Sequence, residues 1–179
     1  VIALVDSYDY AQLDEVLQLA QERGENPFIL ILDGLEDPQN LGSIIRTAEC
    51  AGVHGIVIPR HGSVEVSEGV VRASAGAVEH VLLVQETNLV NTIKYLKNIG
   101  LWVVGADMQA KEDYFSMSFP APLALVIGSE GKGIRRLVKE NCDILVKIPM
   151  EGKLNSLNAS VAAALLIYEV LRQKKQDTD

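Results

Sequence analysis

A segment near the C-terminus, residues 148–160, concentrates small polar side chains where a predicted strand is followed by a helix. It contains Asn155-Ser156-Leu157-Asn158, after a proline and a glycine that end the strand and permit a sharp loop. Serine and asparagine are common helix N-caps. Two of each within six residues exceed what one cap needs. The residues alone therefore leave two interpretations open, a cap with surface polar groups or part of a ligand site.

A second segment, residues 128–134, is rich in glycine and directly follows an apolar run. Its three glycines would let the backbone approach a ligand closely and present N–H groups to it. The segment is not a P-loop, because Gly133 is followed by Ile134, and it lacks the dinucleotide fingerprint, because Arg136 occupies the last glycine position. Glu130 would repel a phosphate but could accept hydrogen bonds from hydroxyls or amines. A plain tight turn remains the alternative.

A third segment, residues 33–46, follows a predicted strand and leads into a helix. Asp37-Pro38 predicts a turn, and Asn40 is placed as the helix N-cap. Arg46 lies on an apolar stretch of that helix, where a charged group must pair, extend to water or face a site. The alternative is a capped helix with a surface arginine.

The chemistry of these segments is defined partly by what the sequence lacks. We find no Ser-His-Asp, Cys-His or paired-carboxylate arrangement in them. The two cysteines and three histidines lack metal-ligand spacing, so a metal site is not expected. The two cysteines favour a reduced, cytoplasmic setting. An enzyme built on these segments would move a group that is already activated. A methyl sulfonium fits, because it needs no metal and no acid, and the protein has mainly to align donor and acceptor.

The elements that must position these segments alternate along the chain. Apolar runs predict strands over residues 28–33, 55–58, 81–84, 101–106, 123–127 and 144–148. Amphipathic stretches predict helices over residues 41–51, 68–75, 89–98, 134–141 and 156–173. This alternation predicts an α/β domain with a mainly parallel sheet flanked by helices. Ligands bind beyond the carboxyl ends of such strands, where all three segments are expected.

Residues 10–23 predict one more amphipathic helix, which either packs on the domain or belongs to an interdomain connection, and we favour the connection. No apolar run approaches the ~20 residues needed to cross a bilayer, and no secretory signal is visible. We therefore expect a cytoplasmic protein without a membrane partner.

The net charge of −8 argues against a self-sufficient nucleic-acid binder, because phosphates are neutralised by clustered basic residues. It does not exclude an enzyme that acts on RNA, since a local patch, a further domain or a dimer partner could supply the attraction. The basic residues that could form a local patch if folding gathered them are Arg46, Arg60, Arg72, Lys132, Arg135, Arg136 and Lys153.

Taken together and in this order, the segments resemble the SpoU/TrmH family of RNA ribose methyltransferases, in the SPOUT superfamily. The stretches NLGSIIRTAECAG (40–52), LALVIGSEGKGI (123–134) and IPMEGKLNSLNASVAAALLIYE (148–169) are similar to its three motifs. RASAGAVEHV (72–81) is also typical of the family. The resemblance covers roughly residues 28–173. Each motif alone is weak or moderate, but the three in sequence are specific.

The resemblance implies a fold and a cofactor that the residues alone did not indicate. The α/β sheet would carry a deep C-terminal trefoil knot, which general folding rules would not suggest. The knot loops would hold S-adenosylmethionine in a bent form, without a metal. Backbone atoms of Gly128, Ile148 and Leu157 would cradle its adenine and methionine parts. The protein would be an obligate homodimer, with residues 162–164 of the last helix in the interface.

The resemblance also implies roles in catalysis. Arg46 would act on the ribose 2′-hydroxyl of an RNA substrate, with Asn40, Glu130, Ser156 and Asn158 around it. A guanidinium is essentially always protonated in proteins, so a literal general-base role is difficult. The other interpretation is that Arg46 grips the adjacent phosphate and orients the hydroxyl, and both stay open.

Within the family, the sequence most resembles the bacterial enzyme that methylates a guanosine in 23S ribosomal RNA. The rivals are a tRNA guanosine 2′-O-methyltransferase and a non-catalytic RNA-binding protein on the same fold. Some family members carry an N-terminal RNA-binding domain, and the opening of this chain resembles the join that follows it. With the acidic charge and the missing initial methionine, this predicts a linker and helix over residues 1–24, after an absent RNA-binding domain, and a knotted catalytic domain over 25–179.

Overall fold

A computed structural model describes residues 8–178, and these form one parallel sheet with helices on both faces. The strands are β1 (Phe28–Asp33), β2 (Gly55–Pro59), β3 (Leu82–Glu86), β4 (Trp102–Ala106), β5 (Glu112–Asp113), β6 (Leu123–Gly128) and β7 (Ile144–Lys147). The helices are α1 (Leu13–Glu22), α2 (Pro38–Cys50), α3 (Glu68–Ala73), α4 (Leu89–Asn98), α5 (Arg136–Glu140) and α6 (Ala159–Asp177). A short 3₁₀ turn, Ala77–Glu79, precedes β3.

The strand order is β3-β2-β1-β6-β4-β7-β5, and all the pairings are parallel. Near the centre, β1 and β6 run in register from Phe28 opposite Leu123 to Asp33 opposite Gly128. The predicted α/β fold with a parallel sheet is therefore confirmed. The sequence missed only the two-residue edge strand β5, which is too short to carry a pattern. The trefoil knot remains a prediction from the resemblance.

The hydrophobic core lies on both faces of the sheet, because successive residues of a strand point to opposite sides. Leu30 and Leu32 of β1 face α2, α3 and α6. Ile29 and Ile31 of the same strand face α1, α4 and α5. All four side chains are fully buried, and each such burial stabilises the fold by roughly 1.5–3 kcal/mol. The continuous apolar strands in the sequence thus reflect burial on both sides.

The amphipathic helix α1 packs on the domain, which is one of the two alternatives considered for residues 10–23, while the favoured one, a connection to a preceding domain, stays a prediction. Val16 is fully buried, and its Cγ atoms lie 2.6 Å from where a Cβ on Gly55 would stand. The N–H of Ala11 donates to the carbonyl oxygen of Leu83 at 2.8 Å, beside β3. An exposed amphipathic helix and one packed on a sheet share the same pattern, so the sequence could not separate them. Residues 1–7 lie outside the described residues, and a preceding domain stays a prediction.

The helix α2 begins earlier than its apolar spacing suggested, which corrects the prediction of Asn40 as its N-cap. Asp37 is the N-cap, and its side chain accepts a hydrogen bond from the N–H of Gln39 at 2.9 Å. Pro38 then occupies the first helical position, where its missing N–H costs nothing. Asn40 lies inside the first turn, and its side chain is left for another contact. Among residues 8–178, no helix is long and apolar enough to span a membrane.

Candidate active site

A cavity of about 500 Å³ lies at the carboxyl ends of β4, β6 and β7. Small-molecule sites usually enclose roughly 300–1,000 Å³. The glycine segment, 127–134, forms one wall, and residues 146–150 and 155–157 form another. Two of the segments singled out in the sequence, residues 128–134 and 148–160, therefore meet at one place, on the edge of the sheet where parallel α/β folds bind ligands.

The glycine segment forms a tight hairpin that leaves its backbone uncovered toward the cavity. A Cβ on Gly128 would overlap the backbone of Gly133 and Ile134. The N–H of Gly133 donates to the carbonyl oxygen of Ser129 at 2.8 Å, which closes the hairpin. Gly131 and Gly133 have φ values of +81° and +68°, a region that residues with a Cβ rarely adopt. Glycine is therefore favoured at these positions, and both a plain tight turn and a ligand loop are compatible with this arrangement.

The outer side of this hairpin is anchored to the end of β1 by an ion pair. Both carboxylate oxygens of Asp33 accept hydrogen bonds from Arg135, from Nε at 2.7 Å and from the backbone N–H at 2.8 Å. The Asp33 side chain is fully buried, so its charge depends on this partner. Asp33 begins the segment 33–46, and its residue type alone indicated no role. The contact spans 102 residues, so no local signal could have revealed it.

Two charged residues of the cavity wall were not singled out in the sequence. Asp107 directly follows β4, and its Oδ2 lies 3.0 Å from Nζ of Lys139. The N–H of Asp107 donates to the carbonyl oxygen of Val146 at 2.9 Å, which fixes the backbone there. An acidic residue just beyond a predicted strand was the available signal. Within the part of the chain that the structure describes, no cluster of His, Cys, Asp and Glu could hold a metal ion.

The segment 148–160 contributes to the cavity and joins it to α2. Ser156, Leu157 and Ile148 line the cavity, whereas Asn158 does not. Asn158 is the N-cap of α6, and its Oδ1 accepts hydrogen bonds from the N–H groups of Ser160 and Val161. The Nδ2 of Asn158 donates to Oδ1 of Asn40 at 3.0 Å. The polar residues of this segment therefore serve both as a cap and as a link to the segment 33–46.

The Asn158 cap also fixes the orientation of Asn40. Because the oxygen of Asn158 accepts from helix N–H groups, its amino group must be the part that meets Asn40. Asn40 therefore accepts with its oxygen, and its own amino group remains able to donate to a ligand. Only 9% of Asn40 is exposed. A buried amide held in one orientation is a suitable group for positioning a substrate hydroxyl or phosphate.

Arg46 lies apart from these residues within one copy of the chain. It is exposed on α2 and is not part of the cavity wall. Its neighbours Ser43 and Thr47 line a separate groove between α2 and α6. The structure thus brings Glu130, Ser156 and the three predicted backbone contacts to the cavity, joins Asn40 to Asn158, and leaves Arg46 outside.

The groove between α2 and α6 is bordered by an apolar stripe on α6. Val161, Leu165 and Tyr168 are all substantially exposed although they are large and hydrophobic. They lie along the face of α6 that is turned away from the core residues Leu166 and Ile167. An exposed apolar face of this kind is typical of a surface that another chain covers.

The basic residues listed from the sequence are partly engaged within the chain. Arg135 binds Asp33, Arg136 lies 3.1 Å from Glu140, and Arg72 lies 3.3 Å from Glu68. Lys132 lines the cavity.

Comparisons with known proteins agree with this geometry. The model of the SpoU rRNA Methylase family matches residues 27–168. A Bacillus subtilis protein assigned to the TrmH family of tRNA/rRNA methyltransferases is 56% identical over 174 residues, which are 97% of this chain and 70% of that protein.

Solved structures are similar as well. The SpoU methyltransferase AviRb from Streptomyces viridochromogenes, in complex with the cofactor AdoMet, matches with a TM-score of 0.77 and 31% identity over 84% of this chain and 59% of that one. The crystal structure of an RNA 2′-O ribose methyltransferase matches with a TM-score of 0.75 and 29% identity over 98% of this chain and 62% of that one. The present chain therefore spans less than two thirds of both solved chains.

Proposed function

The chain belongs to the SpoU rRNA Methylase family of RNA methyltransferases, and from this membership we propose that it transfers a methyl group from S-adenosylmethionine to a ribose 2′-hydroxyl of structured RNA. The observation that carries the proposal is the cavity at the ends of β4, β6 and β7, with the Asn40–Asn158 link at the start of α6. It combines an uncovered backbone loop for a cofactor with fixed polar groups for an acceptor.

The residues around the cavity fit this cofactor. Uncovered backbone at Gly128 and apolar side chains at Ile148 and Leu157 suit an adenine ring and the chain attached to it. The carboxylates of Asp107 and Glu130 suit the positive charges of the sulfonium and the amino group. When bound, S-adenosylmethionine supplies a methyl group that is already activated. AviRb is solved in complex with AdoMet, which supports S-adenosylmethionine as the cofactor. Gly128, Ile148 and Leu157 are proposed as its backbone contacts because all three line the cavity.

The remaining residues act on the RNA. Ser156 lies in the cavity wall, and the amino group of Asn40 is held ready to donate, so these two and Asn158 would orient the ribose. Glu130 would accept a hydrogen bond from a hydroxyl. Arg46 would grip the phosphate next to the target ribose, because a planar, permanently charged guanidinium suits a phosphate better than it suits proton removal. The proton of the hydroxyl would then leave to water or a neighbouring group.

A homodimer completes the proposal. The exposed apolar stripe of α6 fits a second copy of the same chain, and Arg46 lies beside that groove rather than in its own cavity. Dimerisation would therefore cover the stripe and bring Arg46 to the edge of an assembled site. Sedimentation equilibrium tests this, since the proposal requires twice the mass of the chain, and a monomer at micromolar concentration would contradict it.

Within this activity, we favour a guanosine of 23S ribosomal RNA as the substrate, in the cytoplasm, with an N-terminal RNA-binding domain preceding residues 1–24. Transfer RNA is the rival substrate, and the name of the Bacillus subtilis relative covers both. A non-catalytic RNA-binding role would be favoured by loss of Arg46, Ser156 or Asn158, and all three are present.

Calorimetric titration with S-adenosylhomocysteine tests the proposed cofactor site. The expected result is saturable binding with one site per chain. If the folded protein releases no heat of binding with this product, the proposed function is wrong.

A further inference from the structure

We propose that residues 132–136 and the start of α4 form a phosphate-binding edge that guides the substrate RNA into the cavity. The proposal rests on the proposed function, because it takes RNA as the substrate. The edge begins at Lys132 in the cavity wall and continues beyond the cavity with Arg135 and Arg136, and none of these three is among the residues proposed to contact the cofactor or the reacting ribose.

The first observation is the local charge. Residues 132–139, KGIRRLVK, contain four basic residues in eight and no acidic one. The whole chain, by contrast, has 16 basic and 24 acidic residues. Since RNA binding depends on neutralising phosphates with lysine and arginine, a concentrated basic stretch is the part of so acidic a chain that best suits contact with RNA. This stretch begins in the wall of the cavity itself, at Lys132.

The second observation is the way Arg135 is held. Its Nε and backbone N–H are bound to the buried carboxylate of Asp33, yet 64% of its side chain is exposed. Asp33 is inaccessible to a ligand, while the terminal amino groups of the guanidinium are on the solvent side of the pair. Because Asp33 offsets the charge of Arg135, Arg135 contributes N–H donors at a fixed position more than it contributes net charge. A guanidinium fork fixed in this way suits the geometry of a phosphate.

The third observation concerns Arg136, which supplies the charge. Its only ion pair among residues 8–178 is to Glu140, at 3.1 Å, and both side chains are well exposed. Surface pairs one helical turn apart contribute little to stability. A phosphate can therefore replace Glu140 without a large penalty.

The fourth observation is a groove of about 480 Å³ beside these residues. One wall is formed by the start of α5, where Leu137 is 53% exposed, and the other by residues 87–90 at the start of α4. The groove and the cavity share one segment of chain, since Gly133 and Ile134 line the cavity and Arg135 lines the groove. An RNA strand that places a ribose in the cavity would therefore pass along the groove, with Leu137 offering an apolar surface to a nucleoside.

The test is RNA affinity as a function of salt. The dimeric protein is titrated with a fluorescein-labelled fragment of 23S ribosomal RNA, and separately with unfractionated tRNA, over a series of KCl concentrations. The variants are Arg136→Ala and Arg136→Glu. Arg23→Ala is the matched control, because Arg23 is an exposed arginine after α1 and shortly before β1 begins, whereas Arg136 follows the carboxyl end of β6.

We expect Arg136→Ala to weaken binding of both RNAs several-fold and to lower the salt slope by about 0.7–0.9, the value for one lost phosphate contact. Arg136→Glu should weaken binding further, and Arg23→Ala should match the parent protein. The affinity of Arg136→Ala for S-adenosylhomocysteine should be unchanged. If the Arg136 variants bind RNA like Arg23→Ala while cofactor binding persists, this inference is wrong and the proposed function stands. If the parent protein binds neither RNA nor S-adenosylhomocysteine, the proposed function fails with it.

Discussion

The Nδ2 atom of Asn158 donates a hydrogen bond to Oδ1 of Asn40 at 3.0 Å, across 118 residues of chain. The same side chain accepts from the N–H groups of Ser160 and Val161, so it caps α6 at the same time. One residue therefore ties the last helix to the first turn of α2. Any ligand group placed by Asn40 is positioned relative to the cavity through this contact.

Mutation can separate the two roles of Asn158, which are the cap of α6 and the hydrogen bond to Asn40. Asn158→Ser keeps a good helix cap but is too short to reach Asn40, so we expect stability within about 0.5 kcal/mol of the parent protein and methyl transfer reduced roughly tenfold. Asn158→Ala loses both contacts and should cost about 1 kcal/mol in addition. Thermal unfolding and transfer of labelled methyl groups to RNA measure these effects. Full methyl transfer by Asn158→Ser would show that the hydrogen bond between Asn158 and Asn40 is not needed for activity.

Replacing Gly128 with alanine should distort the glycine hairpin, residues 128–134, and prevent cofactor binding. The Cβ of Gly128→Ala would overlap the backbone of Gly133 and Ile134, so we expect the hairpin to distort, a loss of about 1–3 kcal/mol in stability, and no measurable binding of S-adenosylhomocysteine. Gly152→Ala is the control, since a Cβ there meets nothing within 4 Å. Calorimetric titration of both variants with S-adenosylhomocysteine measures this. If Gly128→Ala binds this product as tightly as the parent protein does, the proposed role of the loop is wrong.

Much of this arrangement could be predicted from the sequence. Runs such as residues 28–33 and 123–127 are apolar on both faces, which is sufficient to identify buried parallel strands. Once the sheet is parallel, the loops after its strands must meet at one edge, so the meeting of Gly128 and Ser156 follows from the topology.

What the sequence could not supply depends on tertiary contacts. Asn40 is of a residue type that often caps helices, but Asp37 is the N-cap of α2 and Pro38 occupies its first helical position. Only the folded chain shows the actual partner of Asn40, which is Asn158. Asp107 and Lys139 are unremarkable along the chain, and their pairing arises from the approach of α5 to the end of β4. Arg46 was expected beside the other site residues, but within one chain it is exposed on α2 and outside the cavity wall, and only the proposed homodimer would bring it to the edge of a site.

His54 should make the protein less stable as the pH falls below neutrality. It is fully buried, and burial lowers its pKa below the ordinary value of 6.5. Its Nδ1 accepts the N–H of Phe28 at 3.0 Å, which requires an unprotonated nitrogen. Below about pH 6.5 the unfolded chain takes up a proton that the folded chain does not, so stability declines as the pH falls towards the lower folded pKa.

The slope attributable to this one group is at most about 1.4 kcal/mol per pH unit. Urea unfolding between mildly acidic and neutral pH measures it. His54→Gln should flatten the dependence over this range, and His61→Gln, at an exposed position, should leave it unchanged. Parallel curves for the parent protein and His54→Gln would show that another group is responsible.

Arg46→Lys separates the two roles considered for Arg46. Lysine keeps the positive charge of arginine but lacks its planar guanidinium. If Arg46 binds a phosphate, we expect weaker RNA binding, roughly tenfold lower kcat/KM and an unchanged pH-rate profile. Affinity for S-adenosylhomocysteine should stay the same, because Arg46 is not in the cavity wall. A displaced pH-rate profile with unchanged RNA affinity would instead support a general-base role.

Identifying the methylated product tests whether the protein methylates an RNA ribose. The parent protein is incubated with ribosomal RNA and S-adenosylmethionine carrying a deuterated methyl group, and the RNA is digested to nucleosides for mass spectrometry. We expect a deuterated 2′-O-methylnucleoside that is absent with Gly128→Ala and roughly tenfold less abundant with Asn158→Ala. A label found on a base, or no label in ribosomal RNA or tRNA from a protein that binds S-adenosylhomocysteine, would contradict it.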